Sequence, residues 1–265
     1  MVVPRSPPGC RGRPLFQSWN IECEIWPLMA RAFQWQSQGV FGGRSSPAPI
    51  PEMRVWIMKL LHIDSSPLAQ ASVSRQLTAA VVQAWQQANP SGEVTYRDVA
   101  AVAPAHLDAE LLAVAKFGAD QNLTPAQQAE RALVDTLVDE LLSADVVVIG
   151  APMYNFSIPS QLKSYLDRLA QAGRTFRYTE AGPQGLAGGR KVIVVSSRGG
   201  KYAGTPYEAA LDHQEAYLKA FLGFLGMTDV TIVRAEGVAM GPDAKAGALT
   251  AANTQIGDLF VAQAA

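Results

Sequence analysis

Three short stretches of this chain hold residue types that could share one ligand. The first is Asp64–Ser74, where Ser65, Ser66, Pro67, Ser72 and Ser74 precede a helical pattern. Hydroxyls and backbone N–H groups at a helix start can hold a phosphate, because the helix dipole favours an anion there. Either Ser72 or Ser74 alone is equally explained as an ordinary N-cap. Arg75 beside them reads as a solvated helix residue. The second stretch is Met153-Tyr154-Asn155-Phe156. Met153, Tyr154 and Phe156 suit the flat ring of a planar ligand, with Asn155 or its backbone at the ring's polar edge. Loop packing against the next helix is the plainer reading for Met153. The third is Ser197-Arg198-Gly199-Gly200. Adjacent glycines just past a strand let backbone N–H groups approach a ligand edge, or simply make a tight turn. Arg198 reads as an anchor for that loop.

These stretches need elements to bring them together. Apolar, β-branched runs at Lys59–Ile63, Asp145–Ile149, Lys191–Ser196 and Val230–Ala235 suit strands covered on both faces, while Glu93–Val99 alternates like an edge strand. Between them lie helical patterns ending near Asn89, at 107–117, from Thr124-Pro125 to Ser143, at 159–173, at 206–225 and from Pro242 onward. Residues 175–189 suggest a small hairpin outside the sheet. Strands alternating with helices predict an α/β fold: a doubly wound five-stranded parallel sheet, order 2-1-3-4-5. The three stretches then follow strands 1, 3 and 4 and meet beside the switch point, where such sheets bind ligands. Hydroxyls for a phosphate, apolar faces for a ring and N–H groups for its edge together describe a mononucleotide with a flat polar ring. Flavin mononucleotide fits that description.

Composition narrows the class. The chain has 265 residues and a net charge of -1, which gives no basic footprint for nucleic acid. No apolar run reaches the roughly 18 residues of a membrane span. Two cysteines and three scattered histidines make neither a disulfide framework nor a zinc site. Neither G-x-G-x-x-G nor a Walker loop is present. Asp64 at a strand end lacks the acidic cluster and late lysine of a phospho-receiver. Residues 1–57 differ from the rest: they hold both cysteines, four of five tryptophans, six arginines and no lysine. They read as a disordered extension, or as upstream sequence ahead of a start at Met58. Residues 58–265 form the folded domain in this reading, in a reducing, cytoplasmic compartment.

Several separated motifs resemble one family in order along the chain. Ser65-Ser66 with Ser72-Val73-Ser74, Ala151-Pro-Met-Tyr-Asn-Phe156, Gln161-Leu-Lys163, Phe176-Arg-Tyr-Thr-Glu180 and Ser197-Arg-Gly-Gly200 are similar to the FMN-dependent NADH azoreductases, flavodoxin-like quinone and azo-dye reductases. Phe221-Leu-Gly-Phe-Leu-Gly226 with Ala235-Glu-Gly237 is similar too. The resemblance implies a homodimer with FMN at the interface, NADH or NADPH as hydride donor, and quinones or azo compounds as acceptors in a two-electron ping-pong. It also implies FMN contacts at Ser66, Ser72, Val73, Ser74, Met153, Tyr154, Asn155, Phe156, Ser197, Arg198, Gly199 and Gly200. Some relatives carry a histidine soon after the double glycine, where this chain has Lys201-Tyr202. No catalytic acid or base is assigned. An electron-carrier flavodoxin, or a flavin-free interaction domain in which the loops only pack, are the competing readings. Carriers are usually strongly acidic, unlike this chain.

Overall fold

The computed structural model describes residues 57–117 and 122–261; the stretch expected to be an extension lies, up to Trp56, outside the described residues. In chain order the elements are β1 (Lys59–Asp64), α1 (Val73–Ala88), β2 (Glu93–Asp98), α2 (Ala109–Phe117), α3 (Pro125–Ser143) and β3 (Val146–Pro152). Then come α4 (Ser160–Leu169), the hairpin strands β4 (Phe176–Thr179) and β5 (Gly182–Gly185), and β6 (Lys191–Ser197). Two short helices, α5 (Glu208–Leu211) and α6 (His213–Phe224), precede β7 (Asp229–Ala235) and α7 (Pro242–Asp258).

The main sheet runs β2-β1-β3-β6-β7, with every neighbouring pair parallel. This is the expected 2-1-3-4-5 order, with β4 and β5 forming a separate antiparallel pair. Side chains alternate across a strand, and the two halves of the core follow that period. Leu61, Ile63, Val147, Ile149, Val192 and Val194 face one side, against α3, α4 and α6. Leu60, Val146, Val148, Ile193 and Val195 face the other, against α1 and α7. A parallel sheet buried on both faces explains why β3 has no exposed residue.

Local chemistry sets the boundaries. Thr124 caps α3 and accepts from the Gln127 N–H at 3.3 Å, while Gln127 Oε1 accepts from the Thr124 N–H at 3.0 Å. The helix expected over 159–173 stops at Leu169, because the Thr175 hydroxyl donates to the Leu169 carbonyl at 2.6 Å and closes a loop. The helix expected over 206–225 is interrupted at Asp212, whose carboxylate accepts from the N–H groups of Gln214 and Glu215 at 3.2 and 3.0 Å. That cap starts α6 afresh.

Candidate functional site

The loops after β1, β3 and β6 converge on the carboxyl rim of the sheet around a cavity of about 370 Å³, within the range that holds small ligands. Each loop is fixed by bonds traceable to particular residues.

In the first loop, Ser72 is the N-cap of α1: its Oγ accepts from the Arg75 N–H at 3.2 Å. Ser74 is fully buried, with its Oγ 3.0 Å from that of Ser72. The plain N-cap reading is therefore correct for Ser72, which nevertheless also lines the cavity with Ser66 and Val73. Ser65 donates to the Gly150 carbonyl at 2.6 Å and ties this loop to β3. A Cβ at Gly150 would lie 2.8 Å from Asp64 Oδ1 and 3.1 Å from Thr78 Cγ2, so glycine is what lets α1 approach the strand end.

Arg75 is neither solvated nor turned into the cavity, which corrects the sequence reading. Its Nε and Nη2 donate to the Ser66 carbonyl at 2.9 and 2.8 Å, and its Nη1 and Nη2 to Asp98 at 2.7 and 2.8 Å. The hydrogen bond from Arg75, opposed by partial burial, holds the Asp98 carboxyl below its usual range and raises the guanidinium. Burial works to raise Asp64, but His62, the Thr78 hydroxyl and Arg75 outweigh it and lower this carboxyl too. Beside them burial and Asp64 push the Tyr96 phenol up to about 12. His62, Asp64, Arg75, Tyr96 and Asp98 line a second cleft of about 640 Å³ toward the β2 edge, which also takes in Ala69 and Gln70 of the first loop. Its polar groups mostly bond one another, which marks it as structural.

In the second loop, the Met153 N–H donates to the Ser197 carbonyl at 2.8 Å, joining loops two and three. Tyr154 and Ser157 exchange backbone bonds at 2.9 and 3.1 Å around Asn155 and Phe156, which have φ of 47° and 70°. Two consecutive left-handed residues are the signature of a type I′ turn, a conformation that suits asparagine and strains phenylalanine. Met153 and Tyr154 line the cavity, and the Tyr154 hydroxyl is 3.4 Å from Ser66 Oγ. Asn155 and Phe156 stand exposed at the turn's tip, Phe156 edge-on to Tyr202 at 6.3 Å.

In the third loop, Ser197 and Gly199 line the cavity. Arg198 is fully buried and anchors the loop, as expected, through Asp212 and Glu215 at 2.7 Å and Glu236 at 3.0 Å. Its N–H donates to the Ala235 carbonyl at 2.9 Å. By contrast, among the described residues no acceptor pairs with the N–H groups of Gly199 and Gly200. Of these two donors Gly199 lines the cavity, which leaves its N–H to solvent or to a ligand's acceptor.

Sequence reasoning missed the fourth wall, Val238 and Ala239 from the β7–α7 connection and Lys245 from the start of α7, together with Leu68 and Ala71. The expected topology contained the signal: this connection also leaves the carboxyl end of a strand next to β6. Of the aromatics near the hairpin, Phe221 and Phe224 pack against the core, Phe176 meets Phe224 at 4.6 Å, and Tyr178 is exposed.

A parallel sheet with a cavity at the switch between β1 and β3 defines a doubly wound α/β protein with room for a small ligand on its carboxyl rim. The chain belongs to the family described as flavodoxin-like fold, which matches residues 58–259. It is 62% identical over 208 residues to the FMN-dependent NADH:quinone oxidoreductase of Azospirillum brasilense, covering 78% of this chain and 100% of that protein. It is 56% identical over 198 residues to the protein of the same name from Polaromonas naphthalenivorans, with 75% and 91% covered. Among solved structures, it is similar to the FMN-dependent NADH-azoreductase of Bacillus anthracis in complex with FMN. That match has a TM-score of 0.71 at 29% identity, covering 77% of this chain and 98% of that one.

Proposed function

We propose that this chain is an FMN-dependent oxidoreductase that takes hydride from NADH and reduces quinones, and azo compounds at the same site. The observation that carries this reading is one cavity lined by the buried serines Ser66 and Ser72 and by Gly199, whose N–H has no protein acceptor among the described residues. Bound FMN supplies the two-electron chemistry, and the protein orients it and tunes its electronics.

In this reading Ser66, Ser72, Val73 and Ser74 hold the phosphate end through hydroxyls and backbone. Met153, Tyr154, Asn155 and Phe156 flank the ring. Ser197, Gly199 and Gly200 present the pyrimidine edge with donors that stabilise negative charge there. Arg198 acts through the loop it anchors, since its guanidinium is already held by three carboxylates. With FMN held by these residues, the same site would serve donor and acceptor in turn. The exposed rings of Tyr154, which lines the cavity, and of Phe156 in the same turn support a homodimer with FMN at the interface. Among the described residues no helix is long and apolar enough to cross a membrane, and a cytoplasmic location fits the reading. Residues 58–265 are the reductase unit, with 1–57 an extension outside it.

The test is NADH oxidation by FMN-loaded protein with a quinone acceptor. Parallel lines in double-reciprocal plots are expected. Protein that binds FMN but does not turn over NADH with a quinone would instead be an electron carrier.

A further inference from the structure

One charged side chain in the cavity wall has no role in the account above. Lys245, the fourth residue of α7, lines the cavity with Ser72, Val73 and Ala239 and is half-buried. The other residues lining that cavity carry no formal charge. We propose that Lys245 is the counter-charge for the phosphate of bound FMN, so that the chain distinguishes FMN from uncharged riboflavin through an ion pair made by its last helix. This rests on the FMN reading given above.

Charge balance carries the argument. A phosphate monoester brings about -1.5 to -2 charges at neutral pH. The α1 N-terminus offers roughly half a positive charge, and the serine hydroxyls offer hydrogen bonds but no net charge. Arg75 is the cation nearest those serines in sequence, but its guanidinium is held by Asp98 and the Ser66 carbonyl. Lys245 makes no ion pair among the described residues. It reaches the cavity because α7 and α1 share one face of the sheet, their apolar sides meeting around Leu77, Val81, Ala252 and Ile256. A lysine there is a compact charge on a flexible stem, suited to a phosphate bound mainly by other groups.

The experiment is titration of FMN and of riboflavin into flavin-free wild type, Lys245→Ala and Lys245→Arg, followed by quenching of flavin fluorescence at low and moderate salt. The alanine variant should bind FMN about tenfold more weakly, bind riboflavin within about twofold of wild type, and show a flatter salt dependence for FMN. Arginine should restore most of the loss. Unchanged riboflavin binding also shows that the variant is folded. Equal weakening of both flavins, or no change for FMN, would overturn the proposal. Wild type that takes up neither flavin would sink the reductase reading itself, a result the variants cannot mimic.

Discussion

The guanidinium of Arg75 grips the main-chain carbonyl of Ser66 with two N–H groups, at 2.9 and 2.8 Å, across the mouth of the loop that opens α1. Asp98 on β2 holds the same guanidinium from behind at 2.7 and 2.8 Å. The edge strand of the sheet therefore sets the position of a loop that lines the cavity, without touching the cavity itself.

Removing that grip should loosen the loop while leaving the core intact. Arg75→Ala is expected to lower stability by about 1.5–3 kcal/mol, the usual worth of hydrogen bonds to a charged group. FMN binding should weaken by about tenfold or more, since the serines lose their fixed geometry. Thermal melts of flavin-free protein and flavin titrations check the two effects separately.

Acid should act through the same clamp. The carboxyls of Asp98 and Asp64 are both lowered in the folded protein. Their stabilisation is present above the ordinary carboxyl value of about 3.9 and is lost as pH falls through the lower folded values. Denaturant melts should thus show stability dropping steeply below about pH 4. Asp98→Asn should be less stable at neutral pH and show a flatter decline in that acid window. A variant with the wild-type acid slope would show that Asp98 is not a source of it.

Much of this arrangement was legible in the sequence, for physical reasons that differ by element. Buried parallel strands are runs such as Val146–Ile149, and the proline and capping threonine before α3 announce its start. Once the strand order is predicted, topology places the loops after β1, β3 and β6 together. Arg75 was misread because an arginine in a helix's first turn looks solvated. Its partners, Asp98 and the Ser66 carbonyl, are brought to it only by folding. The Asp212 break was hidden for a similar reason: an aspartate inside a helical pattern shows its capping role only when Arg198 lies beside it at 2.7 Å. Lys245 sits in the first turn of α7, after a connection that has no motif of its own.

The second loop stores strain that a substitution can release. Phe156 sits at φ 70°, where glycine has no steric penalty. Phe156→Gly is expected to raise stability by up to about 1 kcal/mol and to reduce turnover with quinones, since an exposed ring in the turn that carries Tyr154 is lost. A melting temperature that falls would contradict the strain argument. Unchanged turnover would remove Phe156 from the site.

Arg198 is expected to be the least replaceable cation. It is fully buried among Asp212, Glu215 and Glu236, with Gln214 at 3.0 Å on its Nε. Arg198→Ala leaves those carboxylates facing one another and should cost about 3–5 kcal/mol, seen as a large shift in denaturant midpoint. Arg198→Lys should recover only part of it, because one ammonium cannot match the guanidinium's fork.

The central claim is that three loops on one rim of the sheet, with the unpaired N–H groups of Gly199 and Gly200 among them, form the seat for FMN. Titration of flavin-free protein with FMN, followed by absorbance and fluorescence, tests it most directly. The account predicts saturation at one FMN per chain, with bound-flavin bands near ~370 and ~450 nm that bleach on addition of NADH and return with a quinone. A featureless titration with no saturable flavin would contradict it.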